Sequence, residues 1–296
     1  MFISLQDRYR GCFVGLAVGD ALGAPYEFLE KEEVKYNHQM NAGGFFNLPK
    51  GAYTDDTTMN ICLAESILTK DFDMYDQMNR YIQWYTKGMY SSTKTCFDIG
   101  NQTQYALEYY IQNSKFIFED EKELRYSKNS SGNGSLMRIA PIAMAYNDLS
   151  RIMYYAKESS ITTHTSNKCV GLCINYAQMI RLALNGKTKD EIVSVDKFVK
   201  NIQLTDLCSS GYVLDSYRMC TYAFLHTSTF EDCMQFIIEQ GGDADTNACI
   251  AGMLAGAYYG IDSIPAIWVE ELIDNKLMFS YADRLLEYSK KEKNRE

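Results

Sequence analysis

Apolar residues recur at helical spacing along most of the chain, and no stretch alternates convincingly in the way that is typical of β-strands. The polar, glycine-containing segment 29–52 is predicted to be a long loop. We therefore expect an all-α, single-domain fold that covers residues 1–296, with a charged tail that frays from about residue 290 to 296. The predicted helices cover residues 5–22, 56–68, 74–88, 105–111, 140–146, 168–184, 211–226, 230–239 and 247–260.

Two of the predicted helices carry a stripe of small residues. In lipid such a stripe favours helix pairing, but Asp20 and the short apolar length of the first helix argue against a membrane. We interpret both stripes as surfaces that let two helix backbones pack closely in the core. The stripes consist of Gly11, Gly15, Gly19 and Gly23 in the first helix, and of Ala248, Ala251, Gly252, Ala255 and Gly256 in the second.

Composition and charge narrow the classes of partner. The 296 residues are 46% hydrophobic and 23% charged, which is enough for a sizeable core. A formal net charge of −9 disfavours a nucleic-acid partner, since sequence-independent binders are basic. An acidic protein that binds an anion needs local help from a metal ion, a helix N-terminus or a few well-placed cations.

The sequence also indicates a cellular compartment. No uninterrupted apolar run is long enough to span a membrane, and no N-terminal signal is visible, so no membrane partner is expected. The nine Cys include no CxxC pair, and with only three His they give little support for a zinc site. Free thiols in the reducing cytoplasm are the expected state.

Two acidic stretches lie far apart in the chain, each just before an apolar helix. They are residues 53–58, which read Tyr-Thr-Asp-Asp-Thr-Thr, and residues 241–246, which read Gly-Gly-Asp-Ala-Asp-Thr. Carboxylates and hydroxyls are the ligands that hard divalent cations prefer. If the stretches meet, four carboxylates share one pocket, where like charges raise each other's pKa unless cations neutralise them. Two divalent ions would balance four carboxylates, so the pair of stretches predicts a two-metal site.

Each stretch taken alone has a simpler interpretation, because Asp commonly caps the first turn of a helix. A calcium-binding EF-hand loop is excluded for the second stretch. Ala248 stands where that loop needs Gly, and Leu254 stands where it needs Glu. The presence of both stretches, each with Thr beside Asp, favours metal binding.

A loop of small polar residues is a candidate anion site. It is predicted to open a helix that continues through Ala140 to Tyr146, and free N–H groups at such a position can bind an anion. A plain loop with an N-terminal cap fits the sequence about as well. His164 precedes another helix and, taken alone, is more often a structural than a functional residue. The loop residues are Asn129, Ser130, Ser131, Gly132, Asn133, Gly134 and Ser135.

Taken together and in order, these motifs resemble the ADP-ribosylglycohydrolase family, which contains dinitrogenase-reductase-activating glycohydrolase and the ADP-ribosylarginine and ADP-ribosylserine hydrolases. The resemblance spans roughly residues 10–260, and the ordered set is far more specific than any one piece. Tyr53 departs from the Trp of many members. The matching pieces are residues 19–23 with Glu27, 54–57, 98–100, 133–138, 163–164, 211–213 and 242–246.

The resemblance implies a compact orthogonal bundle of helices with a binuclear Mg²⁺ or Mn²⁺ centre. Residues 129–135 and His164 would hold the pyrophosphate of ADP-ribose, and Tyr212 would line its ribose or adenine side. The implied metal ligands are Thr54, Asp55, Asp56, Asp243, Asp245 and Thr246.

Cleavage of the glycosidic bond needs a carboxylate as base or charge stabiliser. The resemblance offers Asp98, following the bacterial branch of the family, and Glu27, following the serine-specific branch. We favour Asp98 because its whole motif is present, although Asp98 could also cap the helix predicted at 105–111 or a nearby turn.

The expected function is metal-dependent hydrolysis of the bond between ADP-ribose and an acceptor, most plausibly arginine on a protein, by a monomeric cytoplasmic enzyme. A serine or O-acetyl linkage is an alternative, and specificity would depend on the loops at 29–50 and 112–128. A non-catalytic ADP-ribose binder or a crystallin-like structural protein is the competing class. A two-metal phosphatase is disfavoured because no His- and Asp-rich phosphoesterase pattern is present.

Overall fold

A computed structural model describes residues 3–127 and 129–293, and within this part of the chain the all-α prediction is confirmed. These residues form fourteen α-helices and no β-strand. No helix among them has the length and apolarity to cross a membrane. The helices are α1 (Leu5–Gly23), α2 (Asp55–Lys70), α3 (Met74–Lys87), α4 (Asn101–Asn113), α5 (Glu121–Ser127), α6 (Ala140–Ala145), α7 (Leu149–Ile161), α8 (Asn167–Leu184), α9 (Lys189–Val193), α10 (Val213–His226), α11 (Phe230–Ile238), α12 (Ala244–Tyr259), α13 (Ala266–Glu271) and α14 (Asn275–Lys293).

Local sequence signals fix several helix ends. Ser4 accepts a hydrogen bond from the backbone of Asp7, whose carboxylate accepts one in return, so a capping box starts α1. The Asp73 side chain accepts bonds from two backbone N–H groups at the start of α3. Gly88 ends that helix with a φ of 67°, which Gly adopts without steric cost.

The C-terminal end corrects one prediction. Helix α14 runs on to Lys293, through the region where we expected the tail to fray. Its last turn is anchored because Glu292, only 2% exposed, lies 2.6 Å from the guanidinium of Arg151. Residues 294–296 lie outside the described part. Helices α5, α7, α9, α13 and α14 are absent from the predicted set.

The two small-residue stripes, each predicted to allow close helix packing, pack against each other. Gly11 faces Gly256, Gly15 faces Gly252 and Gly19 faces Ala248, so α1 and α12 run antiparallel with their backbones in contact. A Cβ atom added to Gly19 would lie 2.2 Å from the carbonyl oxygen of Ala248. Only residues without a side chain allow this approach.

The antiparallel pair also positions the site. The C-terminal end of α1 meets the N-terminal end of α12, and α2 begins beside them. Side chains from α1 to α14 share one large hydrophobic cluster around this pair. The single-domain organisation stays a prediction, which the shared core supports.

Candidate functional site

Asp20, in the last turn of α1, ties the first acidic stretch to the helix pair. Its carboxylate accepts hydrogen bonds from the backbone N–H groups of Thr54 at 2.9 Å and Thr57 at 3.0 Å, and from the Thr57 hydroxyl at 2.6 Å. Thr54, the N-cap residue of α2, makes no side-chain cap bond of its own. Asp20 therefore caps α2 from a neighbouring helix and holds Asp55 and Asp56 near α12.

The carboxylates form two adjacent groups. One oxygen each of Asp20, Asp56 and Asp245 lie within 4.8 Å of one another, and the same holds for Glu27, Asp98 and Asp245. Asp245 belongs to both groups. An arrangement in which two three-carboxylate groups share one member could hold two cations side by side.

The two predicted acidic stretches converge in space. The hydroxyls of Thr54 and Thr246 donate to the same oxygen of Asp56, at 3.0 Å and 3.3 Å, although Thr246 lies 190 positions away from Asp56 in sequence. Asp55 and Asp243 both line the adjoining cavity. Thr54, Asp55, Asp56, Asp243, Asp245 and Thr246 are thus brought together, and their role as metal ligands stays a prediction.

Unpartnered oxygens test whether this site fits metal ions. Asp56 Oδ1, Asp245 Oδ1 and Glu27 Oε2 are buried and accept no hydrogen bond from the described residues. Burial raises the pKa values of Asp56 and Asp245 well above their ordinary range, and the charges of neighbouring carboxylates raise them further. A buried carboxylate without a partner is costly, and a divalent cation removes that cost. Because both groups offer carboxylate oxygens, the site fits hard ions such as Mg²⁺ or Mn²⁺.

Glu27 and Asp98, the two candidate bases, lie side by side at this cluster. Glu27 lies just after the end of α1. Burial, together with the charge of Asp98, raises the pKa of Glu27 to about 9. Burial and the charges of Asp20 and Asp243 raise the pKa of Asp98 to about 7. Asp98 does not cap α4, because Gly100 is the N-cap residue of that helix and no side chain makes a cap bond there. We use the name carboxylate cluster for Asp20, Glu27, Asp55, Asp56, Asp98, Asp243 and Asp245.

A cavity of about 650 Å³ opens beside the carboxylate cluster. Its other lining includes residues 100–103 at the start of α4, residues 132–134, and His164. The first N–H groups of a helix have no partner within it, so the start of α4 offers donors to an anion. We name these three elements the donor set. None of the described residues that line the cavity is Lys or Arg.

Neighbouring residues hold the loop 132–134 in place. The Asn133 N–H donates to Gly211 O at 3.0 Å, and its side-chain amide donates to Asp243 Oδ2 at 2.7 Å. The Gly134 backbone packs against the ring of His164, where a Cβ atom would lie 2.9 Å from Cε1. This contact explains why Gly occupies position 134.

His164 is buried behind this loop and stays neutral. Burial, followed by the charge of Arg138, lowers the pKa of His164 to about 3. Its Nδ1 lies 2.8 Å from the Thr163 hydroxyl, and that hydroxyl accepts a hydrogen bond from Arg138 at 2.8 Å. The charged side chain of Arg138, which lies away from the cavity, thereby orients the neutral ring of His164, which lines the cavity.

The predicted pyrophosphate loop is only partly directed at the cavity. Ser130, Gly132, Asn133 and Gly134 line it. The remaining side chains are engaged elsewhere: Asn129 donates to Arg125 O, Ser131 pairs with Ser166, and Ser135 is buried against Ser160 and Cys173.

Helix boundaries and Tyr212 also differ from expectation. The residues after the loop form a turn and α6 begins at Ala140, so the N-terminus that faces the cavity is that of α4, which begins at Asn101 rather than near Tyr105. Tyr212 is not among the lining residues. Its hydroxyl accepts a bond from Lys168, and its backbone pairs with Gly132.

Sequence reasoning missed two contributors to the site. Asp20 lies within the matching piece 19–23, but no role in the site was assigned to it, and its isolated charge in a buried helix was the available signal. The helix predicted at 105–111 omits the first turn of α4, because Gly100 carries no capping side chain that would mark the helix start.

Comparison with known proteins identifies the family. A sequence profile of the ADP-ribosylglycohydrolase family matches residues 1–295. The chain is 34% identical over 282 residues to the ADP-ribosylarginine hydrolase Tri1 of Pseudomonas putida, covering 90% of this chain and 74% of that protein. It is 30% identical over 281 residues to the ADP-ribosyl-[dinitrogen reductase] glycohydrolase of Rhodospirillum rubrum, covering 91% of both. A chain of an ADP-ribosylglycohydrolase-related protein complex matches with a TM-score of 0.83 at 34% identity, covering 96% of this chain and 99% of that chain. The protein therefore belongs to the ADP-ribosylglycohydrolase family of hydrolases.

Proposed function

We propose that the protein hydrolyses the glycosidic bond between ADP-ribose and an arginine side chain of a protein, with two Mg²⁺ or Mn²⁺ ions as cofactors. The observation that carries the proposal is that Asp245 belongs to two carboxylate groups, in which buried oxygens of Asp56, Asp245 and Glu27 have no partner among the described residues. The arginine linkage is supported by the relative from Pseudomonas putida, which is named for it.

The residues of the two acidic stretches would hold the ions. Thr54, Asp55 and Asp56 would contribute from the start of α2, and residues 243–246 from the start of α12. Asp20 acts as a positioning residue, because the start of α2 already occupies its carboxylate. Bound divalent ions would supply binding sites for the ribose hydroxyls and stabilise charge during cleavage.

The donor set would hold the anionic part of the substrate. The N–H groups at the start of α4, the backbone of the loop 132–134 and the ring of His164 all line the cavity beside the cluster. Such donors suit a pyrophosphate, and they compensate for the absence of Lys and Arg among the described lining residues.

Asp98 would act as the base, with Glu27 as the alternative. Water adds to the anomeric carbon of the ribose, and the bond from that carbon to the arginine nitrogen breaks. Asp98 takes the proton that the water loses, and the departing guanidine takes up a proton in turn. Asp98→Ala should therefore lower turnover while leaving ADP-ribose affinity in place. If Glu27→Ala alone is inactive, the assignment of the base is wrong.

The deciding experiment compares linkages and metals in one panel. ADP-ribosyl-arginine, ADP-ribosyl-serine and O-acetyl-ADP-ribose would each be incubated with Mg²⁺, with Mn²⁺ and with EDTA, and release of ADP-ribose would be measured. Cleavage of the arginine substrate that EDTA abolishes supports the proposal. Cleavage of another linkage alone would reassign the acceptor.

ADP-ribose binding without any hydrolysis would establish the non-catalytic class instead. The monomeric state and the cytoplasmic location remain sequence-based proposals. The nine free cysteines are consistent with a reducing compartment.

A further inference from the structure

An exposed cluster of aromatic rings stands at the rim of the cavity. Phe45 is 73% exposed and Phe28 is 57% exposed, and their ring centroids lie 5.0 Å apart in an edge-to-face arrangement. Phe46 packs against Phe45 at 5.1 Å and against Phe97 at 5.5 Å. Phe46 and Phe97 are partly buried and pack against a small hydrophobic cluster, whereas Phe28 and Phe45 are too exposed for the core to account for their grouping.

The backbone holds this cluster in a defined position. Phe28 has a φ of 65°, a left-handed conformation that is uncommon for a bulky residue. The Phe28 N–H donates to Gly242 O at 2.7 Å, and the Gly242 N–H donates to Leu29 O at 2.8 Å. Gly44, beside Phe45, packs so closely against the end of α1 that a Cβ atom would lie 2.7 Å from Ala24 O. The segment that carries Phe28 is therefore hydrogen-bonded to the second acidic stretch, and the loop that carries Phe45 packs against the end of α1.

The cluster adjoins the residues proposed for bond cleavage. Phe28 directly follows Glu27, and Phe97 directly precedes Asp98. Phe28 lines the cavity together with both carboxylates. An aromatic face beside carboxylates, with no Lys or Arg among the described lining residues, suits a planar cation.

We propose that Phe28 and Phe45 form the acceptor subsite and take the guanidinium of the ADP-ribosylated arginine, an inference that rests on the proposed function. A guanidinium stacks on an aromatic face and can donate to neighbouring carboxylates at the same time. Adenine, a neutral ring, would also stack on Phe28, but it gains nothing from the charges of Glu27 and Asp98. The charge of the surroundings therefore favours the guanidinium.

Substitutions that remove the aromatic face but keep the apolar side chain test this subsite. For Phe28→Leu and for Phe45→Leu we expect kcat/KM for an ADP-ribosyl-arginine peptide to fall about fivefold, mainly through KM, as one exposed cation–π contact implies. Phe28→Tyr and Phe45→Tyr, which retain the ring, should lower kcat/KM less than the Leu variants do. Phe198→Leu is the matched control, because Phe198 is 80% exposed and does not line the cavity.

Calorimetric titration of each variant with free ADP-ribose in Mg²⁺ separates the two possible occupants. Unchanged affinity for ADP-ribose together with the raised KM places the guanidinium at the rings. Affinity that weakens in parallel with KM places adenine there and overturns the inference. If the wild-type protein is active and the Leu variants are equally active, this inference alone is overturned. If the wild-type protein leaves ADP-ribosyl-arginine intact, the proposed function is overturned together with this inference.

Discussion

The carboxylate cluster and the donor set lie at the same cavity, which Glu27, Asp55, Asp98 and Asp243 of the cluster line, but they are stabilised in different ways. In the cluster, buried oxygens of Asp56, Asp245 and Glu27 have no partner among the described residues. In the donor set, the protein supplies partners behind the cavity surface. Arg138 donates to Gly134 O at 2.9 Å and to the hydroxyl that contacts His164.

This difference separates the part of the site that depends on a ligand from the part that does not. The carboxylate cluster concentrates acidic groups that must either hold protons or be neutralised by added cations. The donor set is already oriented by hydrogen bonds within the chain. Removal of metal should therefore disturb the carboxylate cluster and leave the donor set in place.

The largest effect is expected for Asp245→Asn, which removes the carboxylate shared by both groups. We expect kcat/KM to fall at least about a thousandfold, or about 4 kcal/mol, because metal ions supply several kcal/mol of charge stabilisation. Calorimetric titration with Mn²⁺ should show that binding is lost. Unfolding by denaturant in EDTA should show increased stability, since one buried charge is gone.

Asp262→Asn is the control for this change, because Asp262 is an exposed Asp away from the cavity. Its metal binding, turnover and stability should match those of the wild type. An Asp245→Asn protein that binds Mn²⁺ as before would remove the two-metal interpretation of the cluster.

The next effect concerns the helix contact that positions the cluster. For Gly19→Ala we expect the free energy of unfolding to fall by about 3 kcal/mol, since the added Cβ would overlap Ala248 O. Gly171→Ala in α8 is the matched control, because a Cβ there meets nothing within 4 Å. The control should gain about 0.5 to 1 kcal/mol from the higher helix propensity of Ala. Equal stabilities of the two variants would show that the backbones of α1 and α12 are not in close contact.

The glycine stripe and the acidic stretches were visible in the sequence because each is a local pattern with a direct physical meaning. The helix cap that Asp20 provides was not visible in the sequence, because its partners Thr54 and Thr57 lie 34 and 37 positions away. The aromatic rim joins residues of three separate segments, and no spacing within one segment indicates it. Contacts between distant segments are what the sequence pattern leaves undetermined.

A third, smaller effect is the pH dependence of stability without metal. Glu27 and Asp98, with pKa values raised to about 9 and about 7, keep their protons in the folded protein at pH values where the unfolded chain has released them. The folded state then binds more protons, so stability falls as pH rises from about 4 to about 9. In EDTA the melting temperature should be lower at pH 8 than at pH 6.

Divalent cations compete with these protons, so the stabilisation by Mg²⁺ should be larger at pH 8 than at pH 6. Thermal unfolding with Mg²⁺ and with EDTA at both pH values measures this difference. Asp245→Asn, which should not bind the ions, is expected to show no such difference. A Mg²⁺ effect that is equal at both pH values would contradict the assigned coupling.

The smallest effect is expected in the donor set, from Thr163→Val. The hydroxyl of Thr163 accepts a bond from Arg138, a group that only donates, so its hydrogen is directed to Nδ1 of His164. This places the ring proton on Nε2, as a donor beside Gly132 and Gly134. Without the hydroxyl the tautomer is no longer fixed. We expect KM for ADP-ribosyl-arginine to rise about fivefold, equivalent to about 1 kcal/mol, with kcat nearly unchanged.

The nitrogen chemical shifts of the His164 ring report the tautomer directly. The wild type and Thr163→Ser, which keeps the hydroxyl, should show the proton on Nε2, and Thr163→Val should show a mixture. Because burial lowers the pKa of His164 to about 3, the neutral ring is observed throughout the range near pH 7. A wild-type ring with its proton on Nδ1 would show that the donor set is not oriented through Arg138, and the contrast with the metal-dependent cluster would then be weaker than we infer.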